Sequence, residues 1–301
     1  MLVTVLTPTF NRGKYLPELH ESLLHQDIDL EWVVIDDGSV DDTRDVVAEL
    51  ARTSPLSVRY HWQPNSGKHQ ALNHGASVTT GELIAQIDSD DLVVPGSLGR
   101  LLAHWHDIGD KQAYAGVAGL CIDEGDRVVG KRFPSSPLDA SWPEMVYRYR
   151  STGDKPRMYR TDIMRAHPFP QRTGYVAESL IWRAIGRRYL VRHVNEEVVV
   201  CRVIAQDRLT RRAFARVASG AAEQHRITLE EDIAWLRFRP TEFARAAVHL
   251  SRACFHLRES AWRRARGFRE TAARTVAVGA IPLGWLLYRM DLGNGRSSPE
   301  V

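Results

Sequence analysis

Cysteine is scarce in this chain. There are three in 301 residues, Cys121, Cys201 and Cys254, odd in number and far apart in the sequence, with no CxxC pair. That excludes a disulfide framework or a Cys-based zinc or redox site, and it fits a reducing compartment. Long apolar runs are missing too. The run Thr275-Val-Ala-Val-Gly-Ala-Ile-Pro-Leu-Gly-Trp-Leu-Leu-Tyr288, which ends at Arg289, falls short of the ~20 apolar residues that span a bilayer. Met1 leads straight into Leu2–Thr7, which is too short for a signal h-region and has no basic segment or small-residue cleavage site, so export is not expected. No GxGxxG follows the first apolar run, where Thr7-Pro-Thr-Phe-Asn-Arg12 stands instead, so a dinucleotide cofactor is not expected. His61, His69, His74, His104 and His106 show no HExxH or similar spacing, which argues against zinc.

What is present is ordinary for a soluble globular protein: 44% hydrophobic and 26% charged residues, enough for a core and too balanced for disorder. The net charge of +3 hides an asymmetry. Residues 1–100 carry 7 Lys/Arg against 15 Asp/Glu, whereas 237–274 carry 10 Arg against 3 Glu. The two ends therefore face different partners.

Short β-branched runs at Leu2–Thr7, Glu31–Asp36, Val58–Trp62 and Leu83–Asp88 predict strands. Helical spacing predicts helices between them over Lys14–Gln26, Asp42–Ala51 and Lys68–Val78. Strands that alternate with helices of this length imply right-handed crossovers and a mostly parallel sheet, with ligands held beyond the carboxyl ends of the strands. After Gly96 the spacing predicts a helix to His106, a hairpin over Gly116–Val129, Pro-rich connections, a helix over Glu178–Arg187, and strands near Tyr189–Val191 and Glu197–Val200. No internal repeat is present. The expected organisation is a nucleotide-binding half over 1–110, an acceptor-binding half over 111–235 and a helical basic and apolar tail over 236–301. Arginine beside Trp, Leu and Tyr in that tail suits either the membrane interface or packing on the catalytic domain.

Acidic clusters stand at the expected strand ends: Asp36-Asp37 after the second strand and Asp88-Ser-Asp90-Asp91 after the fourth. Three carboxylates within four residues repel one another unless a cation joins them, and hard oxygen ligands suit Mg2+ or Mn2+ bound together with a diphosphate. Asp90 is the first candidate ligand. Taken as plain structure, the same residues make a turn or a helix cap, and Asp36–Ser39 makes an Asx turn. The loop Gln63–Lys68 opens a helix, so that backbone amides and Lys68 can face a phosphate, although its spacing is not that of a P-loop.

Together these segments resemble the family 2 glycosyltransferases of the GT-A fold. The resemblance is carried by Thr7-Pro-Thr-Phe-Asn-Arg12, Val34-Ile-Asp-Asp-Gly-Ser39, Asn65-Ser-Gly-Lys-His-Gln-Ala-Leu-Asn73, Gly81-Glu82 and Asp88-Ser-Asp-Asp91, and it covers about the first hundred residues. It implies an α/β, Rossmann-like, mostly parallel sheet flanked by helices. It also implies nucleotide contacts from Pro8, Thr9, Phe10, Arg12, Asp37, Lys68, Asp88 and Ser89, and metal at Asp90. Glu178, in the string Glu-Ser-Leu-Ile-Trp182, resembles the family's acidic residue that deprotonates the acceptor hydroxyl; family members often carry Glu-Asp where this chain has Ala177-Glu178. Arg208, Arg211 and Arg212 are candidates for covering the leaving diphosphate.

The implied reaction is inverting transfer of a sugar from a nucleotide-diphosphate donor, UDP favoured over dTDP or GDP, to a carbohydrate, lipid-linked or other hydroxyl. It is expected on the cytoplasmic side, with peripheral membrane contact through the tail. Two alternatives compete: a sugar nucleotidyltransferase, which wants a Gly- and Arg-rich loop after the first strand, and a membrane-bound interaction protein with a decayed donor site. Nucleic acid is not an expected partner, because the basic tail adjoins an acidic domain and no recognition motif is present.

Overall fold

The central strands are buried along their whole length, polar positions such as Thr4, Thr7, Glu31 and Asp36 included. β1 (Val3–Thr9) and β2 (Leu30–Asp36) are buried at every position, the pattern of parallel strands covered on both faces. β3 (Ser57–Trp62) is half-exposed, as befits an edge. These strands and β4 (Leu83–Gln86) pair in parallel, in the order β3-β2-β1-β4. The sheet continues through β8 (Arg157–Arg160), β6 (Tyr114–Ile122), β9 (Leu190–Val200) and β5 (Leu92–Val93), with β7 (Leu138–Ala140) also on β9. Antiparallel pairing enters where β8 joins β4 and β6. The computed structural model describes residues 1–171, 176, 178–202 and 214–293. Arg208, Arg211 and Arg212 lie outside the described residues.

Helices α1 (Leu16–Leu24), α2 (Thr43–Thr53), α3 (Lys68–Val78) and α4 (Ser97–His106) flank the sheet, and α3 starts and stops where its spacing predicts. α3 lies tight on β1, since a Cβ at Gly75 would fall 2.1 Å from Leu6 Cδ1. Its carboxyl end is held by Arg165 of α5 (Thr161–Ala166), which donates to the carbonyls of Ala76 at 2.9 Å and Thr79 at 2.6 Å. The first crossover begins as a 3-10 turn over Gly13–Tyr15, so α1 starts at Leu16 rather than Lys14.

Two expectations are corrected. The hairpin over Gly116–Val129 forms only in its outer part, where Ile122 pairs with Val128 and the Val129 amide donates to the Cys121 carbonyl, because β8 takes the flank of β6 over Gly116–Ala118. A Cβ at Gly116 would come 2.0 Å from the Met158 carbonyl oxygen. The two short strands after Tyr189 are one strand, β9. Its polar centre reads as a break in the sequence, yet each group has a partner: Asn195 Nδ2 donates to the Phe133 carbonyl, Glu196 pairs with Arg100 at 2.7 Å and Glu197 with Arg132 at 2.6 Å.

The chain forms two compact units. One comprises Met1–Thr173 and Ile181–Val203, and the other Gly174–Leu180 and Ile204–Val301. In the second, α8 (Pro240–His256) packs against α7 (Phe214–Glu231), α10 (Thr271–Gly279) and α11 (Ile281–Gly293), with α9 (Ala261–Arg266) beside α10. Asp291 of α11 accepts from Arg252 and His256 of α8, and Gly284 permits close approach, since a Cβ there would lie 2.5 Å from Ser251 Cβ. Among the described residues no helix is long and apolar enough to cross a membrane, and the apolar run is divided at Ala280, ahead of Pro282.

Candidate active site

Parallel β3-β2-β1-β4 order brings the carboxyl ends of all four strands to one edge, and each end carries one of the marked segments. Thr9 ends β1, Asp36 ends β2, the loop Gln63–Gly67 follows β3, and Asp88–Asp91 follows β4. The loops after β1 and β2 are bonded reciprocally. The Asn11 amide donates to Ser39 Oγ, and the Val40 amide donates to Asn11 Oδ1, both at 2.8 Å. Asn11 is left-handed at φ 52°, a conformation that asparagine tolerates better than most residues.

The two acids after β2 act differently. Asp36 Oδ1 accepts from the Ser39 amide at 2.8 Å, an Asx-type turn, while its Oδ2 accepts from Tyr60 Oη at 2.6 Å. Asp37 is buried and turned onto the next loop. Its Oδ1 accepts from Gln63 Nε2 at 2.7 Å and the Ser66 amide at 2.9 Å, and its Oδ2 accepts from the Gly67 amide at 2.8 Å. Asp37 thus fixes the loop that ends in Lys68, the first residue of α3. Gly67, at φ 93°, makes the turn into that helix.

Lys68 Nζ lies 2.7 Å from Asp88 Oδ1 and 2.8 Å from Oδ2. Arg12 Nη1 lies 2.6 Å from Asp90 Oδ2. The cation of the β3–α3 loop and the cation of the β1 loop therefore both rest on the acidic cluster after β4. Burial opposes the charge of Asp88, but Lys68 and Arg12 outweigh it, and its carboxyl titrates below the ordinary range. Asp91 goes the other way: burial, then the charges of Asp88 and Asp90, push its carboxyl up to about 7 despite the Arg202 amide donating to it at 3.1 Å. Ser89 is buried between them, and Phe10 is exposed on the β1 loop.

The acids alone do not close around an ion: among the described residues no three His, Cys, Asp or Glu side chains form a metal cage. Magnesium characteristically takes one or two carboxylates and completes its shell with phosphate oxygens and water, and the repulsion that adds to burial in raising Asp91 is a penalty a divalent ion relieves. The residues present fit such an ion together with a diphosphate.

A sequence profile for glycosyl transferase family 2 matches residues 4–178. The chain belongs to that family. Among family 2 relatives, the GalNAc(5)-diNAcBac-PP-undecaprenol beta-1,3-glucosyltransferase of Campylobacter jejuni is 33% identical over 143 residues, 46% of this chain and 43% of that one. Chondroitin synthase of Pasteurella multocida is 36% identical over 169 residues, 55% of this chain and 16% of that one. This family 2 chain thus spans under half the length of either relative. Staphylococcus aureus TarS 1-349, solved in complex with UDP-GlcNAc, superposes with a TM-score of 0.61 at 17% identity, covering 98% of this chain and 92% of that one. The mannosyltransferase PcManGT of Pyrobaculum calidifontis, solved with GDP-Man and Mn2+, gives a TM-score of 0.52 at 21% identity over 96% and 82% of the two chains. These likenesses show a fold shared with those structures, while the family 2 match itself ends at residue 178.

Of the sequence-derived candidates, the structure gathers Pro8, Thr9, Phe10, Arg12, Asp37, Lys68, Asp88, Ser89 and Asp90 at one edge of the sheet. Glu178 stands immediately before α6 (Ser179–Gly186), and α6 is anchored in the first unit by Trp182, packed edge-on to Tyr159 at 5.5 Å and under the Arg157 guanidinium. Sequence reasoning missed Tyr60, Gln63 and Ser66, which hold the acids in place. Only the β2–β3 register, which sets Asp36 beside Trp62, reveals them.

Proposed function

We propose that this chain transfers a sugar from a nucleotide-diphosphate donor, a UDP-sugar in the first instance, to an acceptor hydroxyl with inversion at the anomeric carbon. The carrying observation is the pairing of Lys68 with Asp88 and Arg12 with Asp90 at the ends of β1, β3 and β4. The loop Pro8–Arg12, with Asp37, takes the base and ribose, and Lys68, Asp88 and Ser89 take ribose and phosphate. Asp90 would hold Mg2+ or Mn2+, which would supply neutralisation of the charge on the departing oxygen. As donor binds, Lys68 and Arg12 exchange their carboxylate partners for phosphate oxygens, an arrangement pre-organised by the Asp37-bonded loop. Glu178 accepts the proton of the acceptor hydroxyl. The new C–O bond forms at the anomeric carbon as the bond to the diphosphate breaks on the opposite face. Arg208 and Arg211 are assigned to the diphosphate from sequence alone.

A lipid-linked or polysaccharide acceptor fits a chain that works at a membrane surface. The C-terminal helices leave Trp262, Trp285, Leu286 and Met290 each about half open to solvent, at 52%, 47%, 50% and 54% exposure. Arg266 lies over Trp262 at 5.2 Å and Arg289 over Trp285 at 5.5 Å, the pairing of cation and amphipathic ring that suits the headgroup layer. We read this face as a peripheral contact with the inner leaflet.

The deciding experiment is calorimetric titration of UDP, dTDP and GDP with Mn2+ or with EDTA. Metal-dependent binding of one nucleotide, lost in Asp90→Ala, supports the transferase reading. Binding of none of them moves the weight to a decayed donor site.

A further inference from the structure

In the helical unit, α7, the α8–α9 turn and α9 line an open cleft of about 760 Å³, with Arg226, Arg258, Arg263, Arg264, Glu230 and Glu259 on its wall. Four guanidinium groups face it against two carboxylates. Two of the arginines are held by acids. Arg226 pairs with Glu223 at 2.9 Å and with Glu230, and Arg264 pairs with Glu259 at 2.5 Å. Arg258 and Arg263 pair with no acid among the described residues. The acids of the cleft are thus committed to Arg226 and Arg264, and the remaining charge of its wall is positive. Phe268, buried at the wall, supplies an apolar surface.

Arg258 stands where its backbone is costly. α8 ends in a Schellman turn, with the Glu259 amide donating to the Cys254 carbonyl at 2.8 Å and the Arg258 amide to the Phe255 carbonyl at 3.2 Å. That turn puts Arg258 in the left-handed region, at φ 57°, the position glycine fills without penalty in most helices. Arg258 thus presents a long cationic side chain from a left-handed position on the wall of the cleft, beside Arg263, which likewise pairs with no acid among the described residues.

We propose that this cleft is a second anion site, which binds a phosphate-bearing ligand of diphosphate size through the forks of Arg258 and Arg263. Arg226 and Arg264 are steadied behind them by their carboxylates. The planar guanidinium matches phosphate oxygens in pairs, and the volume exceeds what a single inorganic ion fills, so the ligand carries an organic group or a second phosphate. The phosphate arrives either in solution or on a lipid headgroup. The proposal is independent of the transferase reading.

The test titrates the full chain, in EDTA, with inorganic pyrophosphate and separately with vesicles of phosphatidic acid in phosphatidylcholine. Wild type, Arg258→Gly, Arg263→Ala and Lys68→Ala are compared, with thermal midpoints measured on each. Arg258→Gly and Arg263→Ala are expected to weaken binding roughly tenfold or more, the scale of one lost charge-assisted pair. Lys68→Ala leaves that binding in place, which separates this cleft from the sheet-end site. The thermal midpoint of Arg258→Gly is expected to hold or rise, because glycine relieves the left-handed turn. Response to pyrophosphate identifies a soluble ligand, and response to the acidic vesicles alone identifies a headgroup. The proposal is overturned if neither probe binds saturably, if both arginine variants bind like wild type, or if lost binding in both follows a lowered thermal midpoint.

Discussion

Arg12 and Asp90 meet at 2.6 Å, joining the loop after β1 to the acidic cluster after β4. Lys68 does the same from the β3–α3 loop through Asp88. Two cations from separate loops therefore neutralise two carboxylates of one cluster, and a metal–diphosphate pair can replace both contacts at once. Exchange of this kind keeps Asp88 and Asp90 charge-paired both before and after the ligand arrives, while Asp91 accepts only the Arg202 amide.

That pairing predicts the behaviour of Asp90→Ala. Metal-dependent nucleotide affinity should fall by at least the roughly 10–100-fold typical of losing even an outer partner of a metal site. Affinity measured in EDTA should change little. Calorimetry with and without Mn2+ separates the two, and equal losses in both conditions would remove Asp90 from the metal.

Glu178→Gln keeps the size of the side chain and removes its capacity to take a proton. Donor affinity is expected to stay at the wild-type value while turnover falls roughly 10²–10⁴-fold, the usual contribution of a general base. Transfer at the normal rate by this variant would assign the base elsewhere.

Much of this site was legible in the sequence, because each marked segment follows a strand whose end the chain pattern locates. β2 ends at Asp36, and α3 begins at Lys68, where spacing puts them. What pairs with what was not legible. Asp37 spends both oxygens on Gln63, Ser66 and Gly67, a set fixed by the placement of β3 beside β2. The three cysteines look isolated along the chain, yet the parallel pairing of β6 with β9 sets Cys201 beside Cys121. Their thiol hydrogen bond, with burial, pushes Cys201 up. The sequence reads β9 as two strands because polar residues up to Asn195 and Glu196 interrupt it, and their partners, Phe133 and Arg100, are distant in sequence.

Gly38 tests whether the loops after β2 and β3 act as one unit. It is left-handed at φ 87°, and a Cβ there would fall 2.7 Å from the Asn65 amide nitrogen. Gly38→Ala should cost about 1–3 kcal/mol of stability. It should also weaken nucleotide binding, since the Asn65 side of the contact leads into Lys68. Urea unfolding and calorimetry read the two effects. Wild-type binding in a destabilised variant would uncouple the loop from the site.

Glu31 ties three strands beneath the site, and its charge sets an acid limit on the fold. It accepts from Thr4 Oγ1 at 2.5 Å, the amides of Thr80 at 2.7 Å and Gly81 at 3.1 Å, and Arg59 at 3.2 Å. Burial alone would push the carboxyl up; the hydrogen bonds from Thr4, Thr80 and Arg59 overcome it and bring it down from 4.5 to about 2. A carboxyl depressed on folding stabilises the folded state fully above its unfolded value. That stabilisation is lost as pH falls from there through the folded value. For this buried group it amounts to on the order of 3 kcal/mol. Wild type should therefore lose urea resistance steadily from about pH 5 to about pH 2. Glu31→Gln should be weaker at neutral pH and show a shallower decline over that interval. An unchanged slope in the variant would place the acid sensitivity on other carboxyls.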